Sequence, residues 1–193
     1  MVMLSALRRW TRAEVLDLIE RNPLSTPRYE LVDGELLVTP SPGGRHQTAA
    51  AEMFWLLASY LATEPSVGRV LFSPSDVELE PETTVGPDLF VVPPAEARRY
   101  ATAQTARVLV LAVEILSPGS VRGDRGRKRL LYQRHVPEYW IVNTEVRCVE
   151  LWRPGFTEPV VVSSTLEWHP AGASRPFSLH LPAYFARVFG EAG

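Results

Sequence analysis

The spacing of hydrophobic residues changes several times along the chain, and each change predicts a new secondary-structure element. Thr11 and Glu14 form a capping-box pattern in front of an apolar stripe, which predicts a short helix that ends near Pro23. Residues 28–38, RYELVDGELLV, then alternate on both sides of a central Asp-Gly pair. Because Asp-Gly favours the positive φ angles of a type I′ turn, this segment predicts a β-hairpin.

The longest helical pattern follows this hairpin. From His46 to Leu61 apolar residues recur every three or four positions, which predicts a helix that packs against a sheet. Three strand candidates come next, at residues 68–80, 85–92 and 107–116. The third is apolar on both faces, which is typical of a central strand in a mixed sheet that is covered on both sides.

The second half of the chain predicts one more helix and a return to strands. We expect a helix over about 120–135, a hairpin made of EYWIVN and VRCVELW, a strand near 160–168 and a short helix after Pro182. From the longest helix onward the order is helix, three strands, helix, strand. We therefore predict a single α/β domain over residues 1–193, in which helices flank a mixed central sheet and an N-terminal helix and hairpin are added.

Composition narrows the class of protein. The 193-residue chain is 46% apolar and 22% charged, which fits a globular domain with its own core and excludes a disordered or collagen-like chain. The net charge of −2 argues against non-specific coating of nucleic acid or anionic membrane, and we expect no membrane partner. The single cysteine, Cys148, and the lack of a long apolar stretch near the N-terminus predict a protein of the reducing cytoplasm.

Two carboxylates lie in strands that are otherwise apolar. Glu114 is the only residue of 108–116 that is not apolar, and Asp88 shares a strand face with Phe90 and Val92. An ionised carboxylate in such a position is costly unless a cation or hydrogen-bond donors compensate it. The pair therefore predicts a cation between the two strands, either a divalent metal ion or a basic side chain.

Lys128 is the candidate for that basic side chain. It is the one lysine among 20 basic residues. The predicted helix has a single inward face, made of Asp124, Lys128, Leu131, Tyr132 and His135. Since Leu131 must point into the core, we expect the helix to carry Lys128 toward the end of the strand that bears Glu114.

The same helical segment is strongly basic. Residues 119–135 hold six basic side chains and one acidic one. Either this is a solvated helix face, or it holds a phosphodiester backbone next to the carboxylates. The residues that would contact phosphate are Arg122, Arg125, Arg127, Arg129 and His46. For His46, a hydrogen-bonded and partly buried side chain is the favoured interpretation.

Taken together, these segments resemble a known family. In order along about residues 28–152, they match the motifs of the bacterial Uma-type family of putative restriction endonucleases: YELVDGELL, His46, PDLFVV, VEILSPGS, Asp124, Lys128, Tyr132 and VPEYWIV. That family belongs to the Pro-Asp…(Asp/Glu)-x-Lys nuclease superfamily. The resemblance implies a restriction-endonuclease-like fold, whose core of helix, three strands, helix and strand agrees with the order found above.

The resemblance also implies an activity, namely metal-dependent hydrolysis of phosphodiester bonds by an endonuclease, with DNA as the expected substrate. It implies that Asp88 and Glu114 bind Mg²⁺ or Mn²⁺ together with the main-chain carbonyl of Ile115. Lys128 would orient the attacking water or stabilise charge in the transition state. In the superfamily motif the lysine comes two residues after the acid, where this chain has Leu116, so the lysine looks displaced onto the following helix.

Several alternatives stay open at this point. Glu30 is either a further acid at the metal or a solvated hairpin carboxylate. The protein could be a non-catalytic nucleic-acid-binding or scaffold protein that keeps the nuclease fold with an ion-paired core. The substrate could be RNA or another phosphoester, because two carboxylates specify metal chemistry and not the polymer. A homodimer is compatible with the activity, since symmetric pairing would place two sites on two strands.

Overall fold

A computed structural model of the chain describes residues 8–22, 27–103, 105–117 and 119–191, without the side chain of Arg122. The helices are α1 (Arg12–Arg21), α2 (Gly44–Thr63), α3 (Pro94–Ala103), α4 (Val121–Gly123), α5 (Arg129–His135) and α6 (Leu181–Phe189), with a π-helical turn (Asp124–Lys128) between α4 and α5. The strands are β1 (Arg28–Val32), β2 (Glu35–Thr39), β3 (Arg69–Phe72), β4 (Asp76–Val77), β5 (Leu89–Val92), β6 (Thr105–Ala106), β7 (Leu111–Ile115), β8 (Tyr139–Asn143), β9 (Cys148–Trp152), β10 (Val160–Val162), β11 (Thr165–Trp168) and β12 (Phe177–His180). The α1 helix ends at Arg21, close to the predicted stop near Pro23, and Pro23 itself lies outside the described residues.

The centre of the molecule is a six-stranded mixed sheet in the order β10, β9, β8, β7, β5, β3. The β7 and β8 strands run parallel, and the other neighbouring strands of this sheet run antiparallel. All five residues of β7 are buried, because hydrophobic clusters cover both faces of the sheet. The prediction of a central strand that is covered on both sides is therefore confirmed.

Helices supply the cover on each face. The α2 helix buries an apolar stripe on one face, and the fully buried Met53 and Leu57 each contribute about 1.5–3 kcal/mol of hydrophobic stabilisation. Leu131 and Tyr132 of α5 pack in the cluster on the opposite face. Among the described helices, none is long and apolar enough to cross a membrane.

The N-terminal hairpin has the predicted Asp-Gly turn. Asp33 and Gly34 adopt φ angles of 51° and 75°, and Leu31 lies opposite Leu36. Leu31 also exchanges two backbone hydrogen bonds with Thr84, of 2.7 and 2.9 Å. This bridge fixes the hairpin against the domain, and it leaves the Glu30 side chain only 1% exposed.

Some elements differ from the sequence prediction. The segment 68–80 forms two strands, β3 and β4, because the Ser-Pro-Ser stretch between them ends the ladder. The Ala- and Arg-rich connection after the strand candidate at residues 85–92 forms the helix α3. This helix begins at Pro94, and proline is well suited to the first position of a helix. The segment 160–168 contains β10 and β11, which lie in different sheets because β11 pairs with β12.

The predicted helix over 120–135 is interrupted. Gly126 has non-helical backbone angles, φ −100° and ψ −108°, within the π-helical turn. Asp124, Lys128 and Tyr132 are buried, as their spacing predicts. His135 is instead exposed and contacts Glu80. It is the last residue of α5 and lies beyond the turn that packs Leu131 and Tyr132 in the core.

Glu96 stabilises the connection between β5 and β7. It accepts hydrogen bonds from Arg99 Nε, at 2.9 Å, and from the backbone N–H groups of Arg107 and Val108. The Arg99 hydrogen bond, helped by these N–H groups and opposed by burial, lowers the pKa of Glu96 from 4.5 to about 2. Its stabilising contribution is therefore present above pH 4.5 and is lost as the pH falls toward 2.

Replacing Glu96 with glutamine is expected to lower the free energy of unfolding at pH 7 by about 1–3 kcal/mol, because charged hydrogen bonds to a buried group are lost. The deficit should shrink on going from pH 4.5 to 2, since the native carboxylate is then protonated. Thermal melts of both proteins across this range measure the effect. Glu167→Gln, at an exposed position of β11, is the matched control, and equal melting temperatures for the two variants would contradict the prediction.

Candidate active site

One end of the central sheet gathers the candidate residues that were found in separate segments of the sequence. Leu89 of β5 pairs with Val113 of β7, so the next pair outward brings Asp88 opposite Glu114. The residues that meet there are Glu30 from β1, His46 from α2, Asp88 from the residue before β5, Glu114 from β7 and Lys128 from the π-helical turn.

Lys128 lies at the centre of three carboxylates. Its Nζ is 2.8 Å from Glu30 Oε2, 2.9 Å from Glu114 Oε1 and 3.1 Å from Asp124 Oδ1. The Lys128 side chain is 3% exposed, so these contacts are almost free of water. Tyr132 donates its hydroxyl to Glu114 Oε1 at 3.2 Å. Glu30 is thus a buried member of the site, not a solvated hairpin residue.

The cluster contains more carboxylates than cations, and their pKa values reflect this. Burial raises the pKa of Glu114 well above 4.5; Lys128 opposes the shift, and the charges of Asp124, Asp88 and Glu30 add to it. Burial likewise raises the pKa of Asp124. For Lys128, burial disfavours the charged form, but the three carboxylates outweigh it and raise its pKa. The excess of negative charge in the cluster therefore favours the uptake of a proton or a further cation.

Asp88 is held from three sides. Its Oδ2 accepts the backbone N–H of Ile115 at 2.8 Å and lies 2.9 Å from His46 Nε2, while its Oδ1 is 3.1 Å from an Arg28 guanidinium nitrogen. Burial opposes the ionised form, but the bond to His46, the charge of Arg28 and the Ile115 N–H outweigh it and lower the pKa of Asp88 to about 2. Asp88 is ionised at neutral pH.

Arg28 is a residue of the site that was not predicted from the sequence. Its guanidinium also hydrogen-bonds to Ser73 Oγ, at 2.9 Å, and to the Gly86 carbonyl. The alternation of β1 could have found it, because residues two apart in a strand share a face. Once Glu30 faces the site, Arg28 must face it too.

A small cavity lies among these groups. Its volume is about 10 Å³, which is close to the space that one water molecule needs, and Asp88, Glu114, Lys128, Ser117 and Ser120 are among its lining residues. It shares Arg28, His46 and Asp88 with a larger cavity of about 500 Å³. The small cavity is therefore adjacent to a wider cleft.

The donor set fits a hard divalent cation. Carboxylate oxygens are the ligands that Mg²⁺ and Mn²⁺ prefer, and Asp124 Oδ2 is buried without a hydrogen-bond partner among the described residues. Because the Ile115 N–H points at Asp88, its carbonyl lies on that same side of β7. No group of three or more His, Cys, Asp or Glu side chains is arranged as a ready set of metal ligands in the described part of the chain. Mg²⁺ commonly keeps several waters, so two carboxylates and one carbonyl suit it.

Three of the predicted phosphate-contacting arginines, Arg125, Arg127 and Arg129, do not line this cavity. Arg125 pairs with Glu150 and Arg127 pairs with Glu35. The guanidinium of Arg129 lies over the Trp152 ring, 4.6 Å from its centroid. The side chain of Arg122 lies outside the described residues. Sequence spacing missed these pairings, because each partner comes from a distant segment.

The mixed sheet, the helices on both faces and the contact between Glu114 and Lys128 at the sheet end define a restriction-endonuclease-like α/β protein. A family profile described as Uma2, putative restriction endonuclease, matches residues 13–181. The chain belongs to the Uma2 family.

A solved structure supports the fold. The crystal structure of a putative nuclease belonging to DUF820, from Anabaena variabilis, superimposes with a TM-score of 0.71 and covers 90% of this chain and 98% of that chain. At 19% sequence identity this likeness shows the fold alone. No curated protein matches the chain. The family and the fold together support a nuclease.

Proposed function

We propose that the protein is a Mg²⁺- or Mn²⁺-dependent endonuclease that hydrolyses phosphodiester bonds in DNA. The observation that supports this proposal is the buried cluster in which carboxylates outnumber cations, beside a cavity of about 10 Å³. A buried excess of negative charge is costly unless a cation compensates it, and it would bind one. A cleft adjoins this cavity, through which a phosphodiester could approach.

Asp88 and Glu114 would hold the ion, together with the carbonyl of Ile115. When bound, such an ion supplies Lewis acidity for phosphodiester hydrolysis. Asp88 presents a fixed, ionised carboxylate, because the Ile115 N–H and the side chains of His46 and Arg28 hold it in place.

The remaining side chains of the cluster have positioning and electrostatic roles. The Lys128 ammonium would stabilise the negative charge that grows on the phosphoryl group, or orient the attacking water. Glu30 and Asp124 hold Lys128 Nζ, so we assign them a positioning role. The Tyr132 hydroxyl fixes Glu114 Oε1 and leaves the other carboxylate oxygen for the ion.

Contact between DNA and the basic segment remains a prediction. Arg125 and Arg127 have side chains that are 40% and 46% exposed, and they would exchange Glu150 and Glu35 for phosphate. Charge-assisted bonds from arginine to phosphate are strong enough for such an exchange. The homodimer and the cytoplasmic location likewise remain predictions.

The proposal is tested by incubating the purified protein with plasmid DNA in Mg²⁺ or Mn²⁺. We expect cleavage that stops when EDTA removes the ion, because the ion supplies the Lewis acid. RNA of matched sequence, added as a competitor, decides which polymer is preferred. A protein that binds Mn²⁺ in calorimetry but cleaves neither polymer would contradict the proposal.

A non-catalytic, ion-paired protein is the second candidate, and one observation favours it. Lys128 is enclosed by three carboxylates, and Asp88 is held by three donors, so the cluster also has the pairing of a structural ion network. This candidate predicts no Mn²⁺ binding by calorimetry. It also predicts a loss of about 3–5 kcal/mol when Glu114 is removed from the buried pair.

A further inference from the structure

In the function proposed above, the larger cavity beside the candidate active site serves only as the path by which a phosphodiester approaches. Its volume of about 500 Å³ lies within the range of about 300–1,000 Å³ that is typical of small-molecule sites. It shares Arg28, Pro40, Pro42, His46 and Asp88 with the small cavity. A molecule whose phosphate lies at Asp88 and Glu114 would therefore have its next chemical group in this larger cavity.

Aromatic side chains form part of its wall. Trp55 of α2 is 70% exposed and Phe72 of β3 is 57% exposed. Phe54 packs edge-on against Phe72, with ring centroids 5.1 Å apart. Large aromatic rings that remain this exposed together in one concavity are typical of a binding surface. In the described residues no side chain covers them.

Polar groups in the same cavity are few. Gln47 offers an amide that both donates and accepts hydrogen bonds, and Ser73 offers a hydroxyl. An aromatic wall with a few donors and acceptors suits a flat heteroaromatic ring that has polar edges. A nucleobase is such a ring, and bases of single strands stack on aromatic side chains.

We propose that this cavity, the base pocket, binds an unstacked nucleobase of the strand whose phosphodiester lies at the candidate active site. Trp55 and Phe72 supply the stacking surfaces, and Gln47 contacts the edge of the base. This inference rests on the proposed function and specifies its substrate. Because a base inside a duplex is stacked and paired, the base pocket requires a single-stranded, mismatched or locally opened position.

A second copy of the chain is the other occupant to consider. A protein seated on Trp55 and Phe72 would also cover Arg28, His46 and Asp88, because they line the same cavity. It would close the cleft that adjoins the small cavity. Continuity with the candidate active site therefore favours a group that belongs to the substrate.

The test measures binding separately from cleavage. All variants are made in a Glu114→Gln background in Mg²⁺, so that the probe stays intact. The two probes are a labelled oligothymidylate and an abasic oligonucleotide of the same length, which keeps the phosphates and lacks the bases. Fluorescence anisotropy gives the dissociation constant for each probe.

Trp55→Ala is expected to weaken oligothymidylate binding by about 5- to 150-fold, which corresponds to about 1–3 kcal/mol for one stacked base. Binding of the abasic probe should not change, and Trp55→Phe should retain most of the affinity because it keeps an aromatic face. The control is Val161→Ala, at a 61% exposed position on β10, the opposite edge of the sheet, which should change neither constant. Melting temperatures check that each variant folds.

Three outcomes would overturn the inference: unchanged oligothymidylate binding by Trp55→Ala, equal weakening with the abasic probe, or a wild-type dimer in sedimentation that Trp55→Ala dissociates. Cleavage of plasmid by the wild-type protein, combined with any of these, would leave the proposed function standing and reject the base pocket. Base-dependent binding without any cleavage would support the base pocket and reject the proposed function.

Discussion

Replacing Glu114 with glutamine is expected to reduce DNA cleavage by about 10²–10³-fold or more, the range seen when one electrostatic group of a catalytic site is removed. Glutamine keeps the size of the side chain but loses the charge that would hold the ion. Cleavage rates at saturating Mg²⁺ measure the effect, and Mn²⁺ calorimetry on the same variant should show weaker binding.

The stability of this variant separates the two candidate functions. Glu114 is one of three carboxylates around a single ammonium, and burial raises its pKa well above 4.5. Neutralising it relieves repulsion from Asp124, Asp88 and Glu30, so we expect an unchanged or higher melting temperature. A loss of about 3–5 kcal/mol would instead indicate a structural ion pair. Cleavage that persists unchanged would refute the assignment of Glu114.

Replacing Lys128 with methionine is expected to have the largest effect on stability, a loss of about 3–5 kcal/mol, because buried carboxylates lose their shared cation. Its pKa is raised above 10.5 in the folded state, so its stabilising contribution is fully present at pH 7. The deficit should diminish in acid, where the carboxyls are protonated. Urea unfolding at neutral and acidic pH measures both effects.

Lys128→Arg is the companion variant that keeps the charge. A guanidinium is larger than an ammonium, and the Lys128 side chain is 3% exposed, so overpacking should cost about 1–3 kcal/mol. We expect a folded protein that has lost most of its cleavage activity, since planar arginine does not replace a compact ammonium. Full activity in this variant would show that Lys128 has no specific role in the reaction.

Local patterns predicted those parts of the fold that depend on short-range rules. The stripe of α2, the Asp-Gly turn of the hairpin and the two-sided apolar strand β7 were all predicted, because periodicity and turn chemistry act over a few residues. The helix α3 was missed, and residues 160–168 were not divided into β10 and β11. Sheet membership depends on pairing with distant strands, which a local pattern does not contain.

For the candidate site, too, local patterns predicted some features and tertiary packing decided the others. The sequence by itself determined that Asp88 and Glu114 lie in apolar segments, that Lys128 shares a helix face with Asp124, and which family the motifs resemble.

Only the tertiary structure decided that Glu30 turns inward and contacts Lys128, that Arg28 holds Asp88, and that Arg125 pairs with Glu150. Each of these contacts joins residues that are far apart in the chain. Side-chain spacing fixes which face a residue occupies, whereas the packing of one element on another fixes what that face meets.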